Sequence, residues 1–408
     1  MTDGDGGSST GGFDRFGGSK KLGSHATGFF RIENLAGRWW FITPEGNAFF
    51  SLGLNHISSG ALRGPETLKD FLAKYGGDEG WIRDAVAPDL RSWGFNSIGW
   101  TQEVAQRYAP QDPLKRVDAP DPRRGWGANF ALLHDRPWEH ERYQWAGMPY
   151  CHSLNFVNNA YYYDGSISAL GDSMHYPDVF DPYFEDHCDH LARTYAGSMR
   201  DDPNLIGYFF SDVPDWSGEV HSRHWARSVE GAFYSDADAR IAAIANYYFK
   251  TTAAAIRRYD PNHLLLGDRF LCGRALPDSA LLAMKDHVDV LSVQSGGNFD
   301  EERVQLRNWR ERCGKPILLC DAVMPPQYFE PPQQKNRGDA YIRYLRAALT
   351  ADSVIGVHFC GAYVRADPRG WGIKSASDEA DRDLIDAFMS IHAKAYDVAL
   401  DNDQAEVL

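Results

Sequence analysis

Eight short apolar runs recur along the chain: FFSLGLN (49–55), FNSIGW (95–100), MPYCHSL (148–154), LIGYFFSD (205–212), HLLLGDR (263–269), VDVLSVQ (288–294), PILLCDA (316–322) and VIGVHFCG (354–361). Each has the length of a strand and is apolar almost throughout, as a strand must be when both of its faces are covered. Between most of them lie longer stretches of helical period, at 81–93, 183–200, 238–258, 302–313, 338–350 and 378–394. Parallel strands need a crossover to reach one another, and a helix is the usual one. Eight such units predict an α/β fold of the (β/α)8 TIM-barrel kind, with a doubly wound open sheet as the competing architecture. No internal sequence repeat accompanies the pattern.

Ahead of the first run, FFRIENLAGRWWFITPEGNAFF alternates β-prone pieces with Asn-Leu-Ala-Gly and Pro-Glu-Gly, which predicts an N-terminal β-hairpin extension. The Gly- and Ser-rich residues 1–28 and the acidic residues 401–408 read as flexible tails, leaving one barrel domain over 29–400. The segment 101–147 holds many Pro, Arg and Trp residues and little periodicity. On a barrel it follows the second strand, at the face where active sites are built.

Composition narrows the partners. The formal net charge of −14 over 408 residues, with no cluster of Lys and Arg, excludes a phosphate-binding surface and hence a nucleic-acid partner. No apolar run approaches the ~20 residues of a membrane span, so no membrane partner is expected. The N-terminus lacks the charged start and apolar stretch of a secretory signal. Cys151, Cys188, Cys272, Cys313, Cys320 and Cys360 are scattered with no C-x-x-C pair, which argues against a zinc site or a disulfide framework and favours free thiols in the cytoplasm. No cofactor and no metal are expected. The oligomeric state stays open, a homo-oligomer included.

If the barrel forms, the residues ending its strands make a ring around one pocket. In order these are Asn55 and His56, Trp100, His152, Asp212 with Asp215, Asp268 and Arg269, Gln294, Asp321 and His358. Hydrolysis of a glycosidic bond needs two carboxyl groups, one to protonate the leaving oxygen and one to act as nucleophile or to activate water. Asp212, Asp215 and Asp321, after the fourth and seventh strands, are the catalytic candidates. Asp212 lies beside Phe210 and Val213, an apolar setting expected to hold it protonated as the acid, while Asp215, on the loop after Pro214, is the alternative acid or orients substrate or water. Trp100, Trp216 and Trp371 offer flat faces to sugar rings, and Asn55, His56, His152, His175, Asp268, Arg269, Gln294 and His358 offer hydrogen bonds to hydroxyls. Tyr363 and Arg365, in AYVRADPRGWGIK, are placed on a rim loop.

The stretches GRWWFITPEGNAFFSLGLNH, DVFDPYFE, DPNLIGYFFSD, KPILLCDA and VIGVHFCGAYV resemble the agarase-like branch of the clan A glycoside hydrolases, over most of residues 29–375. The resemblance implies a (β/α)8 barrel, a Glu acid/base in an Asn-Glu pair after strand four, and a Glu nucleophile after strand seven. This sequence departs at both places. Asp212 stands at the Asn, Val213 at the first Glu with Asp215 two residues on, and Asp321 at the second Glu. Shortening Glu to Asp withdraws each carboxyl by about 1–1.5 Å. That widens the gap toward the range of inverting enzymes.

The expectation is therefore a glycosidase acting on a β-linked oligosaccharide, by resemblance a galactose-containing, agar-type one. Two alternatives belong to other classes. One is a barrel that binds sugar without cleaving it. The other is a metal-assisted hydrolase or lyase built on His56, His152, His358 and Asp321, which no H-x-H or H-E-x-x-H spacing supports.

Overall fold

The computed structural model describes residues 11–108, 130–159, 178–214, 216, 236–322, 337–364, 372–375, 377–401 and 408. Fourteen strands are formed among them: β1 (Ser19–Gly23), β2 (Arg31–Leu35), β3 (Arg38–Ile42), β4 (Asn47–Phe49), β5 (Ser51–Leu54), β6 (Ser97–Ile98), β7 (Gln102–Tyr108), β8 (Phe130–Pro137), β9 (Tyr150–Ser153), β10 (Leu205–Asp212), β11 (Leu264–Leu271), β12 (Leu291–Ser295), β13 (Ile317–Ala322) and β14 (Val354–Phe359). Eight of them, β5, β6 and β9 to β14, close into a parallel barrel. Each of the eight apolar runs holds one barrel strand. The pairing of β14 with β5, Gly356 against Ser51 through Phe359 against Leu54, closes the ring and rules out the open sheet. The chain is a (β/α)8 TIM barrel.

Helices cover the outside where helical period predicted them, among them Pro182–Leu191, Ala237–Tyr259, Phe299–Cys313, Arg337–Thr350 and Arg382–His392. Their starts follow ordinary capping chemistry. Asp181 accepts from the Tyr183 amide ahead of Pro182, and Asp381 accepts from the Leu384 amide, each satisfying a donor that the first turn leaves open. No helix among the described residues is long and apolar enough to cross a membrane.

The N-terminal extension is larger than the expected hairpin. β1 to β4 form an antiparallel sheet in the order β1-β4-β3-β2. Its Phe30, Phe41 and Phe49, together with Phe16, join Cys151, Ile206, Phe209, Leu264, Leu266, Val290, Leu318, Cys320, Ile355 and Trp100 in one buried cluster that fills the barrel. The sheet stops the end where the strands begin: the Trp39 amide donates to the Asp352 carbonyl just ahead of β14, and the Phe29 ring meets His263 just ahead of β11. The opposite end, where the strands finish, is left for the site.

Residues at the inner or outer edge of both expected tails are packed against the barrel domain. Within residues 1–28, Asp14 is buried and accepts from the amides of Phe16 and Gly18 and from the Thr43 hydroxyl, while β1 pairs with β4. Within 401–408, Leu408 is buried and its carbonyl accepts from Arg310. Small polar residues look alike whether loose or tied down, so composition missed both anchors. The segment 101–147 contains β7 and β8, paired antiparallel, and the helix His140–Ala146.

Candidate active site

Side chains alternate in and out along a strand, so which of two neighbours faces the barrel interior depends on register. Three bulges set that register here. In β11 the partner of Tyr208 is Leu265 and the partner of Phe209 is Gly267, one residue against two. Gly267 has φ of 71°, the left-handed conformation that a bulge of this kind uses and that glycine adopts without strain. Beyond it the order of faces is inverted, so Arg269 turns inward and Asp268 outward. In β10, Phe209 pairs Gly267 and Asp212 pairs Arg269, which brings Asp212 to the same side as Arg269. In β13, Leu319 pairs Val357 and Ala322 pairs Phe359, three residues against two, and the extra residue brings Asp321 inward after the inward Cys320.

These shifts gather a charged triad. Arg269, 2% exposed, donates to Asp212 through Nη2 and through Nε at 3.0 Å, and its Nη1 lies 3.1 Å from Asp321 Oδ2. Its guanidinium sits 4.2 Å above the Trp100 ring, so one face of that indole is covered. Burial alone would lower the Arg269 pKa, but the two carboxylates outweigh it and hold the guanidinium charged. Asp212 is therefore not in the apolar setting expected for a protonated acid. It is ion-paired, because the bulge in β10 turns it toward Arg269.

Asn55 completes the floor. Its Nδ2 donates to Asp321 Oδ1 at 2.6 Å and to the Cys320 carbonyl at 2.8 Å, and its Oδ1 accepts from the Trp100 amide at 2.8 Å. His56 Nε2 lies 4.0 Å from Asp321 Oδ1. Gln294 is the register partner of Asp321 on β12. Asn55, His56, Trp100, Asp212, Arg269, Gln294 and Asp321 thus come together.

Beneath them His358 is fully buried. Its Nε2 lies 2.8 Å from the Ser51 hydroxyl, which in turn contacts the Ser97 hydroxyl. Burial, reinforced by Arg269, lowers its pKa to about 3, so the ring is neutral. Gly53 and Gly99 make room for it: a Cβ at Gly53 would lie 2.4 Å from the ring, and one at Gly99 2.1 Å from Asn55 Oδ1.

Other expected members lie elsewhere. Asp268 accepts from Tyr248 at 2.7 Å and from Trp216 Nε1 at 3.4 Å, in the layer between the barrel and the helix Ala237–Tyr259. Burial pushes its pKa up to about 7 against the lowering effect of those two donors. Trp216 is buried against Tyr248 and Phe249 of that helix. His152 is enclosed by Tyr143, Tyr195 and Tyr208, and burial takes its pKa down to about 3. Tyr363 bonds Asp89 and Lys374 and stacks on Trp93, on the helical side of the wall. Asp215, His175, Arg365 and Trp371 lie outside the described residues.

Backbone strain marks the same end of the barrel. Among the described residues six non-glycine positions have positive φ, and four of these follow the ends of barrel strands: His56, Asn155, Val213 and Ala362. Val213, at 44°, is β-branched and therefore the least suited to that conformation. One residue that the sequence reading left out also belongs here. Cys360, at the end of β14, brings its sulfur together with His56 and Asp321, the donor atoms all lying within 4.8 Å of one another. Only the adjacency of β13, β14 and β5 reveals it.

No family model matches the chain. β-Agarase A of Vibrio sp. (strain JT0107) is 23% identical to it over 431 residues, taking in 81% of this chain and 41% of that protein. The chain thus spans about two-fifths of that relative's length. Among solved structures, an exo-β-agarase superposes with a TM-score of 0.68 at 16% identity, covering 96% of this chain and 68% of the other. BpGH50 gives a TM-score of 0.67 at 17% identity, covering 96% and 88%. The barrel fold is one this chain shares with these solved structures. At such identities the likeness carries the fold alone.

Proposed function

We propose that the chain is a glycoside hydrolase of agar-type galactans, in which the Asp321 carboxylate at the end of β13 attacks the sugar or activates water. The observation that carries the reading is the placement of Asp321 and Asp212 on one guanidinium at the open end of an agarase-like barrel. Two oxygens bound to one guanidinium are at most about 8 Å apart. That reach covers the ~5–5.5 Å spacing of retaining pairs and the lower part of the ~6.5–9.5 Å range of inverting ones. Asp321, 2% exposed and held by Asn55 and Arg269, is the fixed charge of the pair. The proton comes from the strand-four side, from Asp212 once substrate draws it off Arg269, or from Asp215. The intact, buried thiols of all six cysteines agree with action in a reducing compartment.

The test is a set of substrates with good and poor leaving groups, assayed with Asp212→Asn and Asp215→Asn. The variant lacking the acid slows the poor leaving group far more than the good one, because a good one departs without a proton. Equal slowing of both substrates by both variants would refute a strand-four acid.

One observation favours a second reading, a barrel that binds such sugars without cleaving them. Both acids are ion-paired to Arg269 and Val213 stands where the resemblance places the acid/base, so among the described residues the ring holds no carboxyl group free of a cation. Measured binding of agar oligosaccharides with no detectable cleavage would establish it.

A further inference from the structure

We propose that His56, Cys360 and Asp321 form a binding site for a thiophilic divalent cation of the Zn²⁺ class. Three neighbouring strands build it. β13 delivers Asp321, β14 runs out one residue before Cys360, and β5 runs out two residues before His56, with Ala322 against Phe359 and Phe359 against Leu54 in register. Hydrogen bonds across the strand ends lock this arrangement. The Asn55 amide donates to the Phe359 carbonyl, the Cys360 amide to the Ala322 carbonyl, and the His56 amide to the Trp100 carbonyl, each at 3.0 Å. The last, with the Tyr363 amide on the His56 carbonyl, holds His56 at φ of 56° and so fixes where its ring can lie. All three side chains are buried, and a ring nitrogen of His56, the Cys360 Sγ and a carboxylate oxygen of Asp321 fall within 4.8 Å of one another.

The donor set selects the ion. A thiolate and an imidazole favour Zn²⁺ over Mg²⁺ or Ca²⁺, which prefer oxygen alone, and three protein ligands leave the fourth tetrahedral position to water. Asp321 is already held on Oδ2 by Arg269 and on Oδ1 by Asn55, the kind of outer support that orients a ligating carboxylate. On binding, the Cys360 thiol gives its proton to solvent and the sulfur lone pair to the metal, so affinity rises with pH. An ion there takes the lone pairs that the chemistry proposed for Asp321 requires and therefore inhibits it. This last consequence rests on the proposed function; the binding itself does not.

The experiment titrates metal-free full-length protein with Zn²⁺ by calorimetry and, separately, with Co²⁺ by absorption. The expected result is one ion per chain, a thiolate-to-cobalt charge-transfer band in the near ultraviolet, loss of that band in Cys360→Ser, and Zn²⁺ affinity lowered about tenfold or more in both Cys360→Ser and His56→Gln. Cys272→Ser, at a different buried cysteine, keeps the band and the affinity. Absence of stoichiometric binding, a band that persists in Cys360→Ser, or affinities unchanged in either variant would overturn the proposal. Circular dichroism of each variant separates ligand loss from unfolding, and if Cys360→Ser does not fold, His56→Gln decides. Binding without inhibition of turnover would keep the site and refute the role given to Asp321.

Discussion

Replacing Arg269 by Met tests the triad most sharply, because it removes the charge and keeps an unbranched side chain against Trp100. Arg269 lies between two acids, with Asp321 almost wholly buried and the Asp212 side chain 15% exposed. Removing one member of a buried ion pair costs about 3–5 kcal/mol, because the partner is left charged in a poor solvent. Here two carboxylates are left, close enough to repel. Asp212 can turn toward water and Asn55 still serves Asp321, which places the loss near the lower end, about 3 kcal/mol at pH 7, with about 1 kcal/mol more from the lost cation–π contact. Urea unfolding followed by tryptophan fluorescence at pH 7 reads the loss. A loss under ~1 kcal/mol would refute the argument.

Asp268→Asn should remove a pH dependence of stability: a buried carboxyl with its pKa raised to about 7 favours the folded state only while protonated, so the native protein weakens as pH rises from about 4 through about 7. The variant, which keeps an acceptor for Tyr248, should be the more stable protein at pH 8, by up to the order of 4 kcal/mol, and a native protein whose denaturation midpoint is flat between pH 5 and 8 would contradict this. Gly267→Ala places a side chain at φ of 71° and a Cβ 2.9 Å from Val288, predicting a loss of about 1–3 kcal/mol and impaired ligand binding through the displaced Arg269; unchanged stability would deny the bulge its role.

The barrel was legible because its strands are covered on both faces and its helices on one, so hydrophobic period alone separates them. The site was legible only as a set of strand ends. Asp268 and Arg269 are adjacent, equally polar and equally close to the end of β11, yet one faces the helix Ala237–Tyr259 and the other the interior, and the difference is a single left-handed glycine two residues from Arg269. His152 stays outside the ring by the plain alternation of its strand, because its neighbour Cys151 faces the interior, and Tyr363, four residues past the end of β14, turns to Asp89 and Trp93 instead of a rim. Cys360 read as one of six scattered thiols because its partners, His56 and Asp321, are remote in sequence and meet it only when β14 seats between β13 and β5.

The central claim is that Asp321 does chemistry on an agar-type galactan. The direct measurement is to incubate the native protein and Asp321→Asn with defined agar oligosaccharides, following product by chromatography and binding by calorimetry. Asn keeps the shape and the Asn55 contact within reach but removes the charge, so the loss should fall on turnover. The account predicts that the native protein shortens the oligosaccharides while Asp321→Asn binds them with similar affinity and turns them over at least ~1000-fold more slowly. Near-normal cleavage by Asp321→Asn, or binding without cleavage by the native protein, would contradict it.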